Sequence, residues 1–309
     1  MNYKHIAAIV NFHSAGGSTR KEWDKIKAAL EEGLGREIRV FSTDESGSAI
    51  KPAQNAISES ADLIISIGGD GTHNEVANGI LTAPEANLAV MAIIPRGTGS
   101  DLRKTLKIPL ELDKAVALIA SGKKSDIDVG KTSFLTADGD HKERYFLNIL
   151  SAGLGGYVDA EVNSRSKWMG GKLSFMLGTV RALYKYKNVF LRVSYDDAPF
   201  EEIVANNFVI ANGQYFGGGM WVAPNAKVTD GLFDVIVFGD IPKRDVILKG
   251  NSIYKGKHLG LPGVTERRAK RVVIETNDDA LIDLDGEQPG RAPLTAEILP
   301  AKLPLICGL

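Results

Sequence analysis

The stretch Leu63-Ile64-Ile65-Ser66-Ile67-Gly68-Gly69-Asp70-Gly71-Thr72-His73-Asn74-Glu75 sets an apolar run of strand length against three glycines and a carboxylate. A near-continuous apolar run predicts a strand buried on both faces, as in a parallel sheet. Helical spacing follows over 73–81. Glycines at the corner let backbone approach an anion, and the N–H groups opening the next helix favour phosphate. Thr72 and Glu75 fit a capping box that would start the helix there. Asp70, placed in an exposed loop of this kind, could hold Mg2+ directly or through water. A plain Asp-Gly turn would also account for residues 68–72.

On both sides of this corner the same alternation recurs. Ile6 to Phe12 predicts a strand, and Lys21 to Leu34 a helix through Trp23, Ile26, Leu30 and Leu34. Ile38 to Phe41 predicts a strand, Ala49, Ala53, Ala56 and Ile57 a helix, and Leu88 to Ile94 a strand. Such βαβα order implies a Rossmann-like, doubly wound parallel sheet with helices on both faces. Ligands of such sheets bind beyond the carboxyl ends of the strands. Two further polar corners fall at those ends. One is Pro95-Arg96-Gly97-Thr98-Gly99-Ser100-Asp101, where Asp101 could complete a capping box with Thr98; the other is Asn11 to Gly17. Three such corners on one sheet edge argue against coincidental turns. The Walker pattern, a G-x-G-x-x-G after the first strand, H-E-x-x-H and G-x-S-x-G are all absent from the sequence.

Beyond Asp126 the pattern becomes β-rich. Phe146 to Leu150, Val189 to Tyr195, Ile203 to Asn212, Phe233 to Phe238, Arg271 to Thr276 and Leu281 to Asp285 predict strands between Gly, Asn and Asp turns. Lys172 to Tyr186 has helical spacing. A β-sandwich is the expectation for 126–309 and the α/β unit for 1–125, with the last residues free to pack back on the first domain. A chain of 309 residues is about twice a typical domain, which fits two.

Composition removes several functions. With 37 basic and 38 acidic residues there is no global positive field for nucleic acid. The single cysteine, Cys307, excludes an internal disulfide or a cysteine-rich metal site. No apolar run approaches the 18 or so residues needed to span a bilayer, and no signal peptide is expected, so the expectation is cytoplasmic. Glycine is in excess, 33 against roughly 22 expected, consistent with backbone held close to a ligand.

Two basic stretches suggest peripheral contact with an anionic membrane. Asn163 to Tyr195 carries seven cations and no acid, with Trp168, Met169, Phe175 and Met176 among them. Lys243 to Arg271 carries nine cations against Asp245 and Glu266. Each cation near such a surface contributes about 1 kcal/mol.

Taken in order, Gly68-Gly69-Asp70-Gly71-Thr72-x-Asn74-Glu75, Pro95-x-Gly97-Thr98-x-Ser100-Asp101, Ser151 to Gly155, Ala223 to Ala226, Thr229 to Leu232 and Asp285-Gly286-Glu287 resemble the diacylglycerol kinase catalytic-domain family of bacterial lipid kinases. The resemblance covers nearly the whole chain. It implies an ATP- and Mg2+-dependent kinase of a lipid hydroxyl, diacylglycerol or a related lipid, with a C-terminal β-sandwich; a homodimer is compatible with it. Nucleotide contacts are implied at Asn11, Phe12, His13, Ser14, Ala15, Thr43, Gly68, Gly69, Asp70, Gly71, Thr72, His73, Asn74 and Thr98. Glu287 matches the proton acceptor. Asp230, with carbonyls at Lys227 and Leu232, matches a structural Mg2+ site. The sequence departs from the family at Ser100, commonly Asn, at Arg103-Lys104, commonly Ala-Arg, and in the first loop. Two alternatives stand beside the lipid kinase. One is a kinase of a soluble substrate resembling NAD kinase, whose Asn-x-Gly-x-Leu-Gly-Phe stretch is not found here. The other is a non-catalytic lipid- or nucleotide-binding relative.

Overall fold

The computed structural model describes residues 3–43, 48–84, 89–97, 99–163, 186–242, 244–245 and 250–309. Thr98, Lys243, most of the expected 172–186 helix and the aromatic residues among the first basic stretch lie outside the described residues. The chain divides into one unit of residues 1–129 with 300–309 and a second of residues 130–299.

Among its described residues the first unit carries the parallel strands β1 (Ile6–Val10), β2 (Arg39–Ser42), β3 (Leu63–Gly68) and β4 (Val90–Pro95), in the order β2-β1-β3-β4, and the returning end of the chain pairs parallel with β4 at Leu305 and Met91. Every residue of β1, β3 and β4 is buried, which is why these strands read as unbroken apolar runs. Six helices follow in the same unit: α1 (Ser18–Lys21), α2 (Trp23–Leu34), α3 (Ile50–Ser58), α4 (Asp70–Leu81), α5 (Leu102–Thr105) and α6 (Leu112–Ser121). Ile26, Leu30 and Leu34 of α2 join Ala115, Val116 and Ile119 of α6 over one face of the sheet. On the other face α3 packs on α4, and both reach the sheet. The alternation of Ile6, Ala8 and Val10 with Ala7 and Ile9 divides β1 between these two layers.

In the second unit two antiparallel sheets enclose a core. It takes in the second half of β5 (Lys124–Leu135), then β6 (His141–Phe146), β7 (Ile149–Gly153), β8 (Val189–Tyr195), β9 (Glu201–Ala205) and β10 (Asn207–Ala211). A short hairpin of β11 (Tyr215–Phe216) and β12 (Met220–Trp221) precedes β13 (Phe233–Phe238), β14 (Val264–Ala269), β15 (Arg271–Glu275), β16 (Ile282–Leu284) and the part of β17 (Arg291–Ile306) that precedes Pro300. One sheet runs β14-β13-β10-β7-β16; facing it, β17, β15, β8 and β9 pair in order, and β5 pairs with β6. Leu150, Phe208, Phe233 and Val235 from the first sheet meet Leu191, Val193, Val272, Ile274 and Leu294 from the other. The helix α7 (Leu154–Asn163) follows β7 at once, and a 3-10 helix spans Gly250–Lys255.

Two expectations require correction. The predicted strand Ile203 to Asn212 is two strands in different sheets: β9 pairs with β8, and β10 with β7 and β13. The switch falls at Asn206, whose N–H donates to the Phe238 carbonyl at 2.7 Å and whose amide reaches Asn188. Likewise Phe146 to Leu150 is the end of β6 and the start of β7, separated by a turn. Among the described residues no helix is long and apolar enough to cross a membrane.

Candidate functional site

Because β1, β3 and β4 run parallel, the segments after them emerge on one edge of the first unit's sheet, and they are tied to one another. The Asn11 N–H donates to the Ile67 carbonyl at 3.0 Å, and the Asn11 side-chain amide donates to Thr72 Oγ1 at 3.1 Å. The Arg96 N–H donates to the Gly68 carbonyl at 2.6 Å, while its guanidinium pairs with Glu22 at 2.9 Å and reaches Ser18. Thr43, just past β2, donates its N–H to the Val10 carbonyl at 3.0 Å.

At the centre two glycine corners touch. A methyl group on Gly97 would sit 2.7 Å from the Gly69 Cα, and one on Gly99 3.3 Å from Asp70 Oδ2. Only glycine permits that approach. Gly69 caps α4 in an extended conformation, so the backbone turns directly from β3 into the helix. The three N–H groups that open an α-helix have no partner within it. Ser100 adopts φ 49°, a left-handed conformation that asparagine accepts more readily than serine, and its hydroxyl holds the Gly97 carbonyl at 2.9 Å.

Asp70 is the first residue of α4 and partly buried, not the exposed loop residue expected. Its carboxylate accepts the N–H of Asp101 at 3.1 Å and of Leu102 at 3.3 Å, so it closes the start of α5. Burial pushes its acid strength down, raising the pKa, while those N–H groups and Lys104 pull the other way. Lys104 itself pairs with Asp101 at 2.8 Å. A carboxylate kept in a poorly hydrated corner beside a second one offers the hard oxygen donors that suit Mg2+.

The capping-box expectation at Thr72 and Glu75 is wrong. Thr72 Oγ1 receives the Asn11 amide, and the Glu75 carboxylate accepts the Ala49 N–H at 2.9 Å instead. No side-chain cap closes α4. Of the residues expected to contact a nucleotide, two face inward. His73 is buried with its Nδ1 2.7 Å from Ser66 Oγ, and its pKa is lowered by burial to about 3. Asn74 is buried and bonds the Asn78 amide at 3.1 Å. In the first loop the Phe12 ring packs edge-on against Trp23 and under Arg20, whereas His13 and Ala15 are exposed. Ser14 Oγ bonds the Asn11 carbonyl at 2.7 Å.

Glu287 belongs to the second unit. Asp285 and Gly286 both have positive φ, 50° and 89°, and Leu284 and Glu287 exchange backbone hydrogen bonds across them. That is the two-residue hairpin for which Asp-Gly is favoured. Sequence reasoning missed what Asp285 does: its carboxylate accepts the N–H groups of Leu147, Asn148 and Ile149 at 2.8, 3.0 and 2.8 Å. The hairpin is thereby bolted to the start of β7. Glu287 pairs with Arg144 at 2.6 Å and is about one-third exposed, at 39% of its side chain.

Asp230 follows a different course. Its Oδ1 accepts the Leu232 N–H at 3.2 Å, and its Oδ2 pairs with Arg268 at 2.9 Å. The exposed Lys227 lies three residues earlier. Among the basic stretches, every described arginine is in an ion pair: Arg192 with Glu275, Arg244 with Asp245, Arg267 with Glu201, Arg268 with Asp230 and Asp234, and Arg271 with Asp197. Lys187, Lys255, Lys257 and Lys270 are exposed.

Residues 5–132 match the diacylglycerol kinase catalytic domain, and residues 148–307 match the YegS C-terminal NAD kinase beta sandwich-like domain. A diacylglycerol kinase of Staphylococcus aureus (strain MRSA252) is 31% identical over 293 residues, covering 94% of this chain and 88% of that one. One from Staphylococcus saprophyticus is 29% identical over 265 residues, covering 85% and 82%. A crystal structure of a diacylglycerol kinase from Bacillus anthracis str. Sterne superposes with a TM-score of 0.73 at 25% identity, covering 100% of this chain and 98% of that one.

Proposed function

We infer, from the premise that this chain belongs to the diacylglycerol kinase family and is a kinase, that it transfers the γ-phosphoryl group of ATP to the hydroxyl of diacylglycerol or a related lipid. The observation that carries this is the contact of Gly69 with Gly97 beside the Asp70 carboxylate at the opening of α4. Two glycine backbones this close leave no side chain between them and the opening of α4, whose N–H groups and helix dipole favour the charge of a phosphate.

In this reading Gly68 to Thr72 and Thr98 hold the phosphates, and Asn11, His13, Ser14, Ala15 and Thr43 line the rest of the nucleotide site. His73 and Asn74 support the corner from within, and Phe12 contributes backbone, since its ring is engaged with Trp23. Asp70 would hold Mg2+, which when bound neutralises charge on the phosphates. Glu287, held by Arg144, accepts the proton of the lipid hydroxyl. The hydroxyl oxygen then forms its bond to the γ-phosphorus, the bond from that phosphorus to the bridging oxygen breaks, and ADP leaves. Protein work of this kind is positioning and electrostatics rather than covalent catalysis. Exposed Lys187, Lys255, Lys257 and Lys270 are the cations offered to an anionic membrane on which the lipid is met.

The test is to incubate the full chain with γ-labelled ATP, Mg2+ and a dispersed total lipid extract, then identify the labelled product. A phosphate ester of a lipid alcohol is expected, with label lost in Asp70→Asn by about 10²- to 10³-fold. Label passing only to water or to a soluble dinucleotide would refute the assignment.

A further inference from the structure

The Asp230 turn is built around an internal cation. Asp230 and Asp234 flank the start of β13, and Arg268 stands directly across from Asp234 in the β13–β14 register. Its Nη2 lies 2.9 Å from Asp230 Oδ2 and its Nε 3.4 Å from Asp234 Oδ1, so one guanidinium bridges both carboxylates. Asp234 is buried at 1% exposure, and burial raises its pKa while Arg268 lowers it. The other Asp230 oxygen, Oδ1, takes the Leu232 N–H at 3.2 Å, so the cation the turn faces is the guanidinium. Glu266, on the same strand as Arg268, is held apart by Asn225, whose amide reaches both its oxygens at 3.1 Å.

That donor set does not fit a divalent ion. The remaining ligands implied there, the Lys227 and Leu232 carbonyls, are neutral, and an incoming dication would meet a permanently charged guanidinium already seated between the two carboxylates, with the buried Asp234 Oδ2 the one carboxylate oxygen there that has no hydrogen-bond partner. We propose that Arg268 takes the place of a structural metal at the Asp230 turn, so that the second unit folds and holds its β13–β14 edge without Mg2+. The magnesium proposed at Asp70 is a separate matter, and neither stands on the other.

Thermal melting of the full chain without nucleotide tests this, in EDTA and in excess Mg2+ at matched ionic strength. An ion held by the fold and supplied at about ten times its dissociation constant would raise the midpoint by about 2–4 °C. Wild-type protein should show no rise that depends on Asp230. Arg268→Gln leaves two carboxylates without their cation, so it should melt several degrees lower in EDTA and recover part of the loss in Mg2+. A wild-type rise that vanishes in Asp230→Asn would overturn the proposal. A rise that persists in Asp230→Asn comes from an ion elsewhere and supports it. An Arg268→Gln protein that melts like wild type, or gains nothing from Mg2+, would also overturn it. If Arg268→Gln does not fold, the comparison of wild type with Asp230→Asn decides alone.

Discussion

His73 separates two roles that its sequence position allows, nucleotide contact and core support, through pH. The imidazole is buried against Ser66, and its pKa falls from 6.5 to about 3. The fold therefore holds it neutral while the unfolded chain protonates it near pH 6.5. A depressed pKa contributes stability that is fully present above the unfolded value and is lost as pH falls towards the folded one. Between about pH 7 and about pH 5 the unfolded state gains about three-quarters of a proton here and the folded state almost none, which removes about 2 kcal/mol. The full difference, reached near pH 3, is about 5 kcal/mol. His73→Asn places an amide where Nδ1 sits and keeps the Ser66 bond without a titrating group, at a packing cost of about 1–2 kcal/mol. Urea unfolding followed by circular dichroism across this range should give a steeper loss for wild type than for the variant. Subtracting the two curves removes the parallel contribution of His258, whose pKa burial also lowers. ATP affinity near neutral pH should change little. Equal pH slopes, together with weaker ATP binding by His73→Asn, would refute the core role and return the side chain to the nucleotide.

Other expectations follow from the same corners. Gly97→Ala puts a methyl 2.7 Å from the Gly69 backbone, so it should cost about 1–3 kcal/mol in stability and weaken ATP binding measured by calorimetry; unchanged affinity would separate this contact from the phosphates. Asp285→Asn keeps the left-handed turn and one acceptor oxygen for Asn148 and Ile149 but sets an NH2 against the Leu147 N–H, costing about 1–3 kcal/mol and lowering the melting midpoint by about 3–8 °C, with turnover falling alongside. Glu287→Gln preserves shape and an acceptor for Arg144, so melting and ATP affinity should hold while lipid phosphorylation drops by about 10²- to 10⁴-fold; full turnover would reduce Glu287 to a hairpin residue.

What could be read from the sequence divides by the range of the interactions concerned. The first unit was legible because its central strands are covered on both faces, so Ile6 to Val10, Leu63 to Ile67 and Val90 to Ile94 carry no polar residue except Ser66, itself the partner of His73. The second unit hides its edges. β14, Val-Thr-Glu-Arg-Arg-Ala, exposes four of its six residues and reads as a charge run, although its arginines pair with Glu201 of β9 and Asp234 of β13. β17 alternates buried Ala292, Leu294, Ala296 and Ile298 with outward residues, a pattern interrupted by Pro293 and Pro300. Glycine corners announce themselves because a tight turn is decided within a few residues. Carboxylates do not, because a carboxylate is defined by its donors. Those of Asp70 lie 31 and 32 residues away, and those of Asp285 from 136 to 138. Thr72 and Glu75 show the same limit from the other side: the capping-box spacing was present, yet Asn11 and Ala49, brought in by the sheet and by α3, outcompeted the local bonds. Local pattern thus marks the glycine corners at which we propose phosphate is held, whereas the proposed role of Asp70 at a metal, the bonding of Asp285 to the β7 backbone and the pairing of Asp230 with an arginine depend on which remote donors the fold delivers.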